Sequence, residues 1–152
     1  MVVYRIVKDQ ARTKDLSGKG AFINGGRWNN PGTFLIYTSI NSSLALLETL
    51  VHFDESEIPP HMFIMRMEVD DNAATYEFPD KDLPVNWRQP ESFELKDIGD
   101  KLVSGNQFLA MKVRSAVNPE EYNVLINPLY KGFSELVRVL SVEGYVLDKR
   151  LM

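Results

Sequence analysis

Two stretches of strong β-propensity, residues 2–7 and 34–39, bracket a segment that cannot be one regular element. Residues 8–33 carry Gly18, Gly20, Gly25, Gly26, Pro31 and Gly32, a density that predicts a long loop with short ordered pieces. Such a loop inside a compact domain is uncommon and is often functional. Further strands are expected over 62–69, 108–113, 123–127 and 136–142. Asn41, Ser42 and Ser43 offer N-caps for a helix ending near residue 53, and residues 91–104 read as a second helix stopped at Gly105. Regular βαβ alternation is missing. The order therefore predicts an α+β fold, a mixed or antiparallel sheet with a few helices, as one domain over 1–152.

Composition narrows the function classes. With 44% hydrophobic and 25% charged residues the chain matches a soluble globular protein with one core. The sequence holds no cysteine, which removes disulfides, thiolate metal sites and a cysteine nucleophile together. The N-terminus MVVYRIVKDQ has no apolar signal core, and no apolar run approaches the ~18 residues that read as a membrane span. The expected location is the cytoplasm, without a membrane partner. A net charge of −4 argues against direct nucleic-acid binding. The charge is uneven, however: residues 1–38 hold six bases (Arg5, Lys8, Arg12, Lys14, Lys19, Arg27) against Asp9 and Asp15. That is either ordinary patchiness or a face turned toward an anionic ligand.

Glu48 is the most informative single residue. Leu44, Leu47 and Val51 define an apolar face of the first helix, and Glu48 projects into it, about 40° from Leu44 at ~100° per residue. A carboxylate there is costly unless paired or functional. It is a site residue, a structural carboxylate, or part of a helix edge that stays wet. Arg27, in Gly25-Gly26-Arg27-Trp28-Asn29, offers a fork suited to phosphate on a backbone that a ligand can approach closely; the plainer alternative is a turn with a surface arginine and a core Trp28. Tyr37 and Ser115 stand in or beside strands with their faces unfixed. His52 lies four residues after Glu48, but no third ligand follows at metal-site spacing, so no metal is expected. There is no GxSxG elbow, P-loop or Rossmann fingerprint.

Taken in order, several segments resemble the RES domain, a family named for an arginine, a glutamate and a serine. They are Tyr4-Arg5, Gly26-Arg27-Trp28-Asn29 with Gly32, Ile36-Tyr37-Thr38-Ser39, Leu44-Ala45-Leu46-Leu47-Glu48 with Leu50-Val51-His52, Ile98-Gly99-Asp100, Ser115-Ala116-Val117, Pro119-Glu120-Glu121-Tyr122-Asn123, Asn127-Pro128, and residues 133–151. The chain departs from the family pattern at Arg114, where a proline is usual, and near Tyr130, where a histidine is common. The resemblance implies an ADP-ribosyltransferase-like fold and a toxin of a toxin–antitoxin pair. It implies degradation of NAD⁺ by hydrolysis or phosphorolysis of the nicotinamide–ribose bond, with ADP-ribosylation of a protein target or a non-catalytic nucleotide-binding module as alternatives. NAD⁺ is then substrate, and no cofactor is expected. The implied partner is an Xre-like antitoxin, with room for a homo-oligomer inside the toxin–antitoxin complex. The implied catalytic residues are Arg27 on a phosphate, Tyr37 stacked on nicotinamide or ribose, Glu48 against the developing cation, and Ser115 on the ribose or amide. Arg5, Trp28 and Asn127 are the implied supporting substrate contacts.

Overall fold

The computed structural model describes residues 1–151; Met152, the last residue of the expected domain, lies outside the described residues. The strands are β1 (Val2–Val7), β2 (Ile36–Ser39), β3 (Met62–Val69), β4 (Thr75–Glu77), β5 (Ala110–Arg114), β6 (Tyr122–Ile126) and β7 (Val137–Tyr145). The helices are α1 (Lys19–Asn24), α2 (Ser42–Leu50), α3 (Phe93–Ser104) and the single turn α4 (Phe133–Leu136). The strands form one sheet in the order β4-β5-β6-β2-β1-β3-β7. Among the described residues only β4 and β5 run parallel, so the sheet is mixed, within the expected mixed or antiparallel class.

Side chains alternate across the sheet and build two cores. On β5 and β6, Ala110, Val124 and Ile126 join Val3, Met65 and Met67 on one face. Met111, Val113 and Leu125 join Trp28, Phe78, Leu95 and Val103 on the other, beneath α3. The helix comes so close that a Cβ on Gly99 would lie 1.8 Å from the Trp28 carbonyl oxygen. Only glycine permits that approach.

Several boundaries differ from the expectation. Helix α2 begins at its Asn41 cap, which accepts the Leu44 amide at 2.8 Å, and ends at Leu50 rather than near residue 53. Its apolar stripe is not all core: Leu44 and Ala45 are buried, while Leu47 and Val51 are 42% and 57% exposed. The short β4 is not foreseen, because three residues carry no usable period. Within residues 8–33 the ordered pieces are a 3₁₀ turn at Gln10–Lys14 and α1, flanked by Gly18 and Gly25 at φ 71° and 72°.

The site is positioned by a defect in the sheet. Strands β1 and β2 pair only at Tyr4↔Ser39, whereas β1 and β3 pair along the whole of β1. Beyond that one pair the two strands separate. The residues that follow on each, Arg5 to Lys8 and Tyr37 to Thr38, line a cleft.

Candidate active site

The cleft has a volume of about 750 Å³, within the range of small-molecule sites. Of the seven residues the sequence singles out, Arg5, Arg27, Trp28, Tyr37 and Glu48 border it, and Ser115 and Asn127 do not.

Glu48 enters from α2. Its Oε1 accepts two hydrogen bonds, from Ser115 Oγ at 2.7 Å and from Asn123 Nδ2 at 2.5 Å. Its Oε2 accepts none among the described residues, and it is not a buried atom left without a partner. One oxygen is thus held by the protein and the other is open to the cleft. Helix α2 is fixed to the same region at its start, where the Asn41 side chain donates to Glu121 Oε2 at 2.5 Å.

Ser115 is fully buried. Its oxygen accepts the amides of Val117 at 3.2 Å and Asn118 at 2.9 Å, which leaves its one proton for Glu48. Ser115 therefore bears on the cleft through Glu48 and does not line it.

Arg27 donates from Nη1 to the carbonyl oxygens of Trp87 at 3.0 Å and Gln89 at 2.5 Å, tying the glycine-rich loop to residues 87–89. Among the described residues, no protein partner takes its Nε or Nη2. Burial pulls its pKa down, and the charge of Glu48 pushes the other way. Tyr37 lies under the same loop: its hydroxyl accepts the Trp28 amide at 3.0 Å and donates to Asn29 Oδ1 at 2.8 Å. A Cβ on Gly26 would stand 2.5 Å from that hydroxyl, so the glycine allows the loop to close over the ring. Burial, first of all, raises the Tyr37 pKa, and the phenol stays neutral at physiological pH.

Two supporting assignments need correction. Trp28 is 2% exposed, and its indole meets Phe78 edge-on with ring centres 5.1 Å apart. Its ring props the loop from behind instead of facing a ligand. Asn127 is buried away from the cleft, donating to Asn106 Oδ1 at 3.1 Å and accepting the Leu129 amide at 3.0 Å. It satisfies loop backbone. Arg5 does face the cleft. Its Nη1 donates to the Asp15 carbonyl at 2.9 Å. Burial and then the like charge of Arg12 hold its pKa down.

The cleft is cationic. Arg114 is spent on Asp80, Tyr122 and the Pro119 carbonyl, and Lys96 on Glu91. Arg5, Lys8, Arg12 and Arg27 have no carboxylate within ion-pair distance among the described residues, and all four come from the basic N-terminal third. Among the described residues, no group of three or more His, Asp or Glu could hold a metal ion. Ser39 and Asn123, present in the sequence only as members of family segments, emerge as site residues through the strand register, and Arg12, one of the six N-terminal bases, through its proximity to Arg5.

The RES domain family model matches residues 2–148. The chain belongs to the RES domain family. It is 34% identical to a protein named Toxin Res from Yersinia enterocolitica, over 99% of both chains. It is 33% identical to a protein named Prs ADP-ribosylating toxin from Sphingobium, over 98% of this chain and 95% of that one. The fold is similar to a chain in the crystal structure of the M. tuberculosis MbcT–MbcA toxin–antitoxin complex. The TM-score is 0.72 at 16% identity, over 95% of this chain and 84% of that one. This RES protein is a toxin by kinship, with Arg27, Tyr37 and Glu48 bordering one cleft and Ser115 bonded to Glu48 behind it.

Proposed function

We propose that this RES toxin cleaves the nicotinamide–ribose bond of NAD⁺ in the cleft around Glu48. The observation that carries the reading is the half-tethered carboxylate: Oε1 is held by Ser115 and Asn123, and Oε2 is open in a cleft whose uncompensated charges are arginine and lysine. Arginine and lysine suit the pyrophosphate, Arg27 through its free Nε and Nη2, with Arg5 and Arg12 on the opposite strand and turn. Tyr37 and the glycine loop form the wall for the nicotinamide ribose.

The chemistry needs little more. As the carbon–nitrogen bond breaks, both electrons leave with the ring nitrogen, and nicotinamide departs neutral. The ribose carbon takes on oxocarbenium character, as in glycoside cleavage. Glu48 Oε2 opposes that charge in a site partly screened from water, where a fixed charge acts strongly. Water then adds and loses a proton, giving ADP-ribose, or phosphate adds and gives ADP-ribose-1″-phosphate. The name of the Sphingobium relative favours a second outcome, transfer of ADP-ribose to a protein side chain.

Such an enzyme endangers its own cell, so the partner is an antitoxin, of the Xre-like type. A carboxylate-bearing segment inserted among Arg5, Arg12 and Arg27 would mimic the substrate phosphates. The deciding experiment incubates purified protein with NAD⁺, with and without phosphate, and identifies products by mass. ADP-ribose or its 1″-phosphate supports the proposal and tells hydrolysis from phosphorolysis. A mass increase of an added protein supports the transferase. Intact NAD⁺ supports a non-catalytic nucleotide-binding module and rejects the proposal.

A further inference from the structure

Strand register puts three residues in one row across the sheet: Ser39 on β2 faces Asn123 on β6, which faces Val113 on β5. Residues directly opposite share a face, and this row lies under α2, where Glu48 descends. The polar members of the row are linked in one direction. Ser39 Oγ donates to Asn123 Oδ1 at 2.7 Å, and Asn123 Nδ2 donates to Glu48 Oε1 at 2.5 Å. A carboxylate accepts only, so the nitrogen of the amide must face Glu48, and the amide oxygen must face the hydroxyl.

Ser115 reaches the same oxygen from the other side, its own oxygen being occupied by the Val117 and Asn118 amides. Two donors rooted in β6 and in the turn after β5 thus converge on Oε1, and among the described residues none reaches Oε2. Rotation of the carboxylate would break both bonds together. Ser115 alone would leave the group free to swing about one contact, whereas two contacts from different elements define its plane.

We infer that Asn123, backed by Ser39, is a positioning residue that fixes the Glu48 carboxylate and presents Oε2 to the substrate ribose. The inference rests on the proposed role of Glu48. Asn123 acts through Glu48 and touches no reacting atom.

The test is a kinetic comparison of Asn123→Asp, Asn123→Ala and Ser39→Ala, with Glu48→Gln as reference, each checked for folding by circular dichroism. Asn123→Asp keeps shape and volume but replaces the donor with a second carboxylate against Oε1. It is expected to lose more kcat than Asn123→Ala, which loses roughly 10- to 100-fold, the range set by a hydrogen bond to a charged group. KM for NAD⁺ stays within about twofold in both, because the binding cations are untouched. Ser39→Ala loses less than Asn123→Ala. Adding Asn123→Ala to Glu48→Gln costs nothing further in kcat, since the two act as a unit.

A structural asparagine gives the reverse order, with the isosteric Asp variant milder than Ala and with losses that add to Glu48→Gln. That pattern overturns the inference, as does wild-type kcat in folded Asn123→Asp. If Asn123→Ala does not fold, Asn123→Asp and Ser39→Ala decide. Wild-type turnover in Glu48→Gln instead refutes the reading of Glu48 itself, so the two failures are told apart.

Discussion

Replacing Glu48 with glutamine changes one atom and one charge, and the structure dictates how the new side chain will sit. Both groups that hold Oε1 are donors, Ser115 Oγ–H at 2.7 Å and Asn123 Nδ2–H at 2.5 Å. The glutamine must therefore turn its carbonyl oxygen inward, and its NH₂ takes the place of Oε2. The cleft loses a negative oxygen and gains a donor with partial positive charge, opposite the developing cation. Removal of a comparable electrostatic group costs about 2.7–4 kcal/mol, or about 10²–10³ in kcat. Folding is affected far less, because both inward hydrogen bonds survive as neutral ones, each weaker by roughly 1 kcal/mol or less. The assay is nicotinamide release under saturating NAD⁺, with thermal unfolding run in parallel. A folded Glu48→Gln protein with wild-type turnover would refute the reasoning.

Three further outcomes follow from the same geometry. Arg27→Lys keeps the charge but loses the planar fork, so KM for NAD⁺ should rise, with a smaller penalty on a fragment lacking the phosphates; equal losses on both would make Arg27 only the anchor of residues 87–89. Gly99→Ala should destabilise the fold by about 3 kcal/mol or more, beyond ordinary overpacking, because the new Cβ meets backbone at 1.8 Å; an unchanged melting temperature would show that α3 can shift away from Trp28. Expression of the chain alone should arrest growth and lower cellular NAD⁺, its antitoxin should reverse both, and Arg27→Ala or Glu48→Ala should be harmless. Growth arrest with NAD⁺ unchanged would separate toxicity from the proposed reaction.

The parts of the fold legible in sequence are those with a local cause. Residues 62–69 read as a strand from their β-propensity and are one, and the run Asn41-Ser42-Ser43 marks the start of α2 to within a turn because a cap is a local event. Glu48 stands out because a carboxylate beside Leu44 conflicts with its neighbours. Leu47 and Val51 depart from the expected core stripe, since periodicity alone cannot tell a core face from an exposed one. Trp28 and Asn127 fail as ligand contacts for the opposite reason. An aromatic beside a glycine-rich loop and an asparagine before a proline suit a site and a structural support equally, and only tertiary packing separates them. Asn123 and Ser39 fall within family segments, yet their partnership is invisible in one dimension, the two being 84 residues apart and brought together by register.

The central claim is that the cleft breaks the nicotinamide–ribose bond rather than merely holding a nucleotide. A single-turnover experiment tests it most directly: protein in excess over NAD⁺, with free nicotinamide measured against time. Release approaching one nicotinamide per NAD⁺, with ADP-ribose or its phosphate ester as the other product, is the predicted result. NAD⁺ that binds the folded protein yet stays intact would contradict it.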